Sequence, residues 1–278
     1  MNSNWLAPFS SHQSSLPFKK LSELFDFAQF TTWPNAAGLN RLKRQSKADV
    51  NHSPDFICQS QLGNNEDYYE QYIFNHHRIP TRPDNWHDFF NGLIWLQFPQ
   101  TKRLLNQLHI EDITQFGLHP RSHRRNKLTH FDECGVVLAI ECGQHENAIQ
   151  GRMPELLRQH EWRQVFVDNR RQWGATIHSF MFGHANLEML LQPFIGLTGK
   201  WLSVEVPSGF GDLSGFEQLA LTDQLLCKKI TDENVFAQKN GLFPLPLLGI
   251  PDVTEASEDP RYYDNNDYFR PRSKYHGK

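Results

Sequence analysis

The stretch from Arg78 to Lys102, RIPTRPDNWHDFFNGLIWLQFPQTK, constrains this chain most. Asn85, His87, Asp88 and Asn91 are threaded between Trp86, Phe89, Phe90, Leu93, Ile94 and Trp95. A surface helix would carry Lys or Glu at such polar positions. Imidazole, carboxylate and amide groups among aromatics predict a half-buried polar cluster, which must be hydrogen-bonded throughout or it is costly. Pro83 disfavours helical geometry just before it, so Asp84 is the expected N-cap of a helix over 85–97. Phe98-Pro99 is a sharp boundary, with Pro99 suited to the first turn of a next helix through Lys102 to Leu108.

Around this segment the expected architecture is α+β, a mostly helical single domain with a small, largely antiparallel sheet. Helices are expected over 21–30, 66–76, 154–167, 183–191 and 216–230, from apolar positions three and four apart. Strands are expected over 177–182 and 197–206. Residues 128–141 read as a β-hairpin turning near Gly135, and 35–60 as loop. GFGDLSG, residues 209–215, reads as a helix lead-in capped by Asp212 or Ser214. The expected organisation is an N-terminal arm over 1–20, a domain over 21–250, and a C-terminal arm over 251–278 held down by its aromatic side chains.

Composition bounds the function classes. At 278 residues a single unit buries about 75% of its unfolded surface, and 21 Phe with 7 Trp supply a core of large flat side chains. A net charge of −3 gives no general pull toward nucleic acid or anionic lipid, although a local basic patch could bind phosphate. Four cysteines without a CxxC pair read as free thiols, with Cys134 and Cys142 facing each other only if the hairpin forms. The N-terminus lacks signal-peptide character and no apolar run approaches the roughly 20 residues of a membrane span, so a cytoplasmic location is expected.

The chemistry candidates fall in three places. His87 and Asn91 share a helix face, with Asp88 beside them. His184 and Glu188 lie one turn apart in a second helix, where a Glu can orient an imidazole or join it on a metal. A divalent metal would need a third ligand such as His130 or Asp132. The Asp132-Glu133 pair itself reads most simply as turn chemistry. Arg78, Arg82, Arg124 and Arg125 are the candidate anion-binding groups. Each feature has a structural counterpart: a satisfied core network, a helix-stabilising pair, or a solvated basic loop. GxSxG, Walker and Rossmann glycine motifs are absent.

The segments PTRPDNWHDFFNGLIWLQFPQTK, LTHFDECG, FMFGHANLEMLLQP with GLTGK, PLPLLGIP and YYDNNDYFRPR, taken together, resemble a bacterial family of unknown function, number 3025. They span about residues 66 to 272. The chain departs from the pattern after Pro251, where Asp252-Val253-Thr254 stands in place of an aromatic. The resemblance implies one domain in a bacterial cytosolic protein and supplies no chemistry.

Two readings follow. In the first, His87, Asp88, Asn91, His184 and Glu188 face a common cavity as acid/base groups or metal ligands, with arginines binding an anionic substrate, a phosphate ester or nucleic acid, for hydrolysis. In the second, the polar cluster is structural and the protein is a non-catalytic interaction module.

Overall fold

A computed structural model describes residues 5–46, 53–63, 67–142 and 149–272. The chain begins with α1 (Ala7–Ser10), α2 (Leu16–Leu24) and α3 (Ala36–Gln45), then β1 (Asp55–Cys58), α4 (Tyr69–His76) and β2 (Arg78–Thr81). It continues through α5 (Trp86–Gln97), α6 (Pro99–Phe116) and α7 (His123–Cys134) into β3 (Gly135–Glu141). After α8 (Ile149–Gln159) come β4 (Ile177–Met181), α9 (His184–Met189), β5 (Thr198–Val206), α10 (Gly215–Glu233) and β6 (Phe243–Pro246), followed by 3-10 turns. The fold is α+β and mostly helical, as the sequence predicts. No helix among the described residues is long and apolar enough to cross a membrane.

Four strands form one sheet in the order β4-β3-β5-β6, and β1 pairs with β2 in a second, parallel one. β3 is antiparallel to β4 and parallel to β5, while β5 is antiparallel to β6. The sheet is thus mixed, with its parallel pairing at the centre. β3 is buried along its whole length, which explains the unbroken apolar run Val136 to Ile140. Pro244 and Pro246 sit in β6 at the sheet edge, where a missing N–H costs no ladder bond.

The expected hairpin over 128–141 does not form. Residues 123–134 are helical because Ser122 caps them, its Oγ accepting from Arg125 N at 3.0 Å, and because Arg125, Leu128 and Phe131 recur every three residues on a fully buried face. Leu128 and Phe131, the two apolar residues of LTHFD, are too few to distinguish strand from buried helix by period alone. Cys134 and Cys142 consequently flank the two ends of β3, about 25 Å apart along an extended strand, and all four cysteines are free.

Other boundaries shift for local reasons. Within the expected loop over 35–60, Asn35 caps α3 and Ala36, Leu39 and Leu42 bury one face of it. Residues 47–52 of that loop, and Glu66 of the expected helix over 66–76, lie outside the described residues. The helix expected over 21–30 starts five residues earlier, with Pro17 in its first turn. The helix expected over 154–167 is split: α8 ends at Gln159, His160 turns left-handed at φ 59°, and a π-helical turn covers Gln164–Asp168. The N-cap of α5 is Asn85, whose side chain accepts from Asp88 N at 2.9 Å, while Asp84 takes a left-handed turn position at φ 51°. Ser214, not Asp212, caps α10.

Trp5, Phe9 and Phe18, near the N-terminus, are buried in the same core as α5. Trp33, Trp86 and Phe89 pack edge to face on one another, and Trp5 packs edge to face on Trp33 and Phe89, with ring centroids 4.7–6.2 Å apart. This aromatic cluster fixes the N-terminal turn of α5, where His87 projects.

Candidate functional site

Three helix ends converge on one cleft. His87 comes from the first turn of α5, Asp132 and Glu133 from the last turn of α7, and His184 from the first residue of α9. Gly183 makes the meeting of α7 and α9 close. A Cβ there would stand 2.4 Å from Glu133 O and 2.5 Å from Gly135 N. Gly183 N donates to Gly135 O at 2.8 Å, and the buried Asn186 donates its side-chain amide to Cys134 O at 2.9 Å. The start of α9 is therefore bolted to the junction between α7 and β3.

The His87 and His184 rings lie 4.4 Å apart, and their Nε2 atoms 3.0 Å apart. Glu133 Oε2 is 3.3 Å from His184 Nε2 and 3.8 Å from His87 Nε2. His87 Nδ1 stands 3.1 Å from Glu188 Oε2. A proton held on Nδ1 by Glu188 would leave the Nε2 lone pair of His87 free to face the cleft. His184 is 3% exposed and His87 half-buried. Burial lowers the His184 pKa to about 3; the Asp132 carboxylate opposes this and the Lys102 ammonium adds to it, so the ring is neutral at ordinary pH. Burial raises the Glu133 carboxyl above its ordinary range, with His87 opposing.

Beneath these groups lies a buried ionic chain. Lys102, 4% exposed, donates to Asp132 Oδ1 at 2.5 Å and to Asn91 Oδ1 at 2.9 Å, and Asn91 donates to the Tyr69 hydroxyl at 2.9 Å. Burial alone would raise the Asp132 pKa, but the Lys102 ammonium outweighs it and the net direction is down. The Tyr69 ring is 38% exposed while its hydroxyl end points inward, where burial raises its pKa well above the usual phenol range.

The cleft above has a volume of about 240 Å³ and is walled by Tyr68, Tyr69, Arg82, Arg121, Asp88 and His109. Arg82 grips Asp88 through two side-chain bonds of 3.0 and 2.7 Å. Arg121 donates to the Tyr68 hydroxyl at 2.7 Å.

Of the residues expected from sequence, His87, Asp88, Asn91, His184 and Arg82 line this one cleft, and Glu188 stands behind His87. The other three arginines lie elsewhere. Arg78 is exposed on β2. Arg124 is paired with Asp112 and Glu111. Arg125 is fully buried and donates to Leu118 O at 2.7 Å, so residues 123–127 are a packed helical turn and not a solvated loop. His130 is exposed and does not line the cleft, and Asp132 is committed to Lys102. The sequence reading misses Lys102 and Tyr69, takes Glu133 only as turn chemistry, and takes Arg121 only as one of the basic run over 120–127. Read as a helix, LTHFDE would have placed Glu133 at the end of an element facing the cleft; read as a turn, it had no partner.

Fold and site together define a class: a mostly helical α+β protein with two imidazoles and a carboxylate converging on the floor of a polar cleft. Residues 54–273 match the family model described as "Protein of unknown function (DUF3025)", and the chain belongs to that family. No curated protein and no solved structure matches it.

Proposed function

We propose that this protein is a metal-assisted hydrolase acting on a small anionic, phosphate-containing substrate, with His87, His184 and Glu133 as the metal ligands. The observation that carries this reading is spacing. A tetrahedral ion with bonds of about 2.0–2.1 Å holds its ligand atoms roughly 3.3–3.4 Å apart. The three donor atoms here are separated by 3.0, 3.3 and 3.8 Å, and the three residues are the group among those described whose donor atoms cluster tightly enough. Two histidines and one glutamate, with the fourth direction opening on the cleft, are a donor set of catalytic zinc sites. The surroundings also suit the role: Glu188 fixes the His87 tautomer, as an outer partner of a ligating histidine does.

Charge supports the same reading. The cleft is walled by Glu70, Asp88, Asp132 and Glu133 against Arg82 and Arg121, with Lys102 beneath Asp132, which leaves the acids one in excess. An anionic substrate would be repelled by this balance unless a cation were bound. A divalent ion would reverse it and supply Lewis acidity and an acidified water. Arg82, already rigid through Asp88, and Arg121 stand at the rim as phosphate contacts. Lys102 holds Asp132 ionised, and together they set the field under His184.

The interaction-module reading keeps one observation in its favour. Asp88 is satisfied by Arg82, His87 by Glu188, and Asp132 by Lys102, as a purely structural network would be. Hydrolysis of p-nitrophenyl phosphate and bis-p-nitrophenyl phosphate by the full chain, with and without chelator, separates the two. The hydrolase reading expects turnover that chelation abolishes, that zinc or manganese restores, and that Glu133→Gln reduces at least 100-fold. Folded, metal-loaded protein without turnover on any phosphate ester leaves the structural reading standing.

A further inference from the structure

A second cavity, of about 310 Å³, lies where α2, β4, α9 and α10 meet. Its walls are Leu21, Leu24, Phe180, Met181, Leu187 and Leu219. It shares α5 with the polar cleft: Gln97, at the last turn, reaches this cavity, and His87, at the first turn, reaches the other. Ten residues of helix separate them, about 15 Å, so the cavity is a distinct site.

One cation stands in this apolar wall. Lys20 Nζ donates to Ser179 O at 3.0 Å and sits 4.0 Å from the centroid of the Phe180 ring. An ammonium has three donors, and the carbonyl takes one of them. Burial pulls the Lys20 pKa down to about 8, with Glu23 opposing, so most of the ammonium is charged at neutral pH and poorly solvated. Such a group gains most from an anionic partner. Glu23, three residues further along α2, also lines the cavity, and its charge acts on Lys20. The first turn of the long helix α10 enters the cavity through Gly215 and Phe216, adding the positive end of a helix to the same wall.

We propose that this cavity binds a small amphipathic carboxylate, an alkyl or aryl acid whose body lies against Leu21, Leu24, Phe180 and Leu219 and whose head group pairs with Lys20. The volume falls at the lower end of the range for small-molecule sites, about 300–1,000 Å³, which suits a medium-chain fatty acid and excludes a phospholipid. The apolar walls set the body, and the single cation sets the head group. A neutral amphipath of the same length fills the walls but offers the ammonium no anionic head group.

Isothermal titration of the full chain with decanoate and with decanol tests this. The expected result is that decanoate binds at least tenfold tighter than decanol. Lys20→Met should bring the two within twofold while decanol binding persists, and Leu24→Trp, which fills the cavity from its partly exposed side, should abolish both. A measurement on the unaltered protein keeps the proposal testable should a variant misfold: saturating decanoate should slow acetylation of Lys20, followed by mass spectrometry, at least tenfold relative to Lys19. Absence of decanoate binding, a carboxylate preference that survives Lys20→Met, or unprotected Lys20 would each overturn it.

Discussion

His178 shows how burial sets chemistry at the scale of one residue. It is 6% exposed on β4, and its Nε2 lies 3.6 Å from Glu141 Oε1, too far for a good hydrogen bond. Burial lowers its pKa below the ordinary 6.5, Lys20 acts the same way, and Glu141 opposes them. A histidine depressed in the folded state contributes stability that is present above its unfolded value, near 6.5, and lost as pH falls from there through the folded value. The melting midpoint should therefore drop less steeply between pH 7 and pH 5 in His178→Phe than in the unaltered protein. Parallel slopes would show that His178 titrates as it does when unfolded. At the same scale, His87 and His184 were legible because imidazoles beside acids in apolar sequence demand partners. Glu133 was not, because its role depends on which element carries it. The arginines were legible only as a class: the sequence shows that Arg82 and Arg125 are cationic, but tertiary packing puts one at the rim of the cleft and buries the other.

At the scale of elements, the site is held by the contact of α7 with α9. Gly183 is there for proximity, since its φ of −73° is open to any residue. In Gly183→Ala the new methyl would collide with the backbone of Glu133 and Gly135. Backbone cannot yield as a side-chain tip does, so the two helix ends must part. The expected cost is about 1–3 kcal/mol in urea unfolding, together with at least a tenfold loss of metal affinity as His184 leaves Glu133. Unchanged stability with unchanged affinity would refute this account of the junction. Elements with strong period or clear caps, namely α5, α9, α10, β4 and β5, were legible in the sequence to within three residues at each end. The segment over 128–134 was not, because its two apolar residues before Cys134, Leu128 and Phe131, are too few to fix a period ahead of the apolar run of β3. Its true signal was Ser122 at the cap and the three-residue spacing of Arg125, Leu128 and Phe131.

At the scale of the whole molecule, the segments over 5–20 and 251–272 pack onto the middle of the chain. Phe9 and Phe18 reach the core near α5. Tyr268 donates its hydroxyl to Leu197 O at 2.6 Å and accepts from Leu248 N at 2.9 Å, and Trp162 Nε1 donates to Arg270 O at 2.8 Å. We propose that residues 21–250 resist proteolysis as one unit and that 251–272 remain protected with them. Limited trypsin digestion should spare Arg163 and Arg170, which pair with Asp264 and Glu258; early cleavage there, or two stable halves, would contradict it. The central claim draws on the whole fold as well, since its three ligands come from α5, α7 and α9, far apart in sequence. Zinc-edge X-ray absorption on the purified full chain, loaded with one equivalent of zinc, tests it most directly. The account predicts two nitrogens and one or two oxygens at about 2.0–2.1 Å, with the signal lost or reorganised in His87→Ala, His184→Ala and Glu133→Gln. Failure to retain one equivalent, or a coordination shell unchanged by all three substitutions, would contradict it.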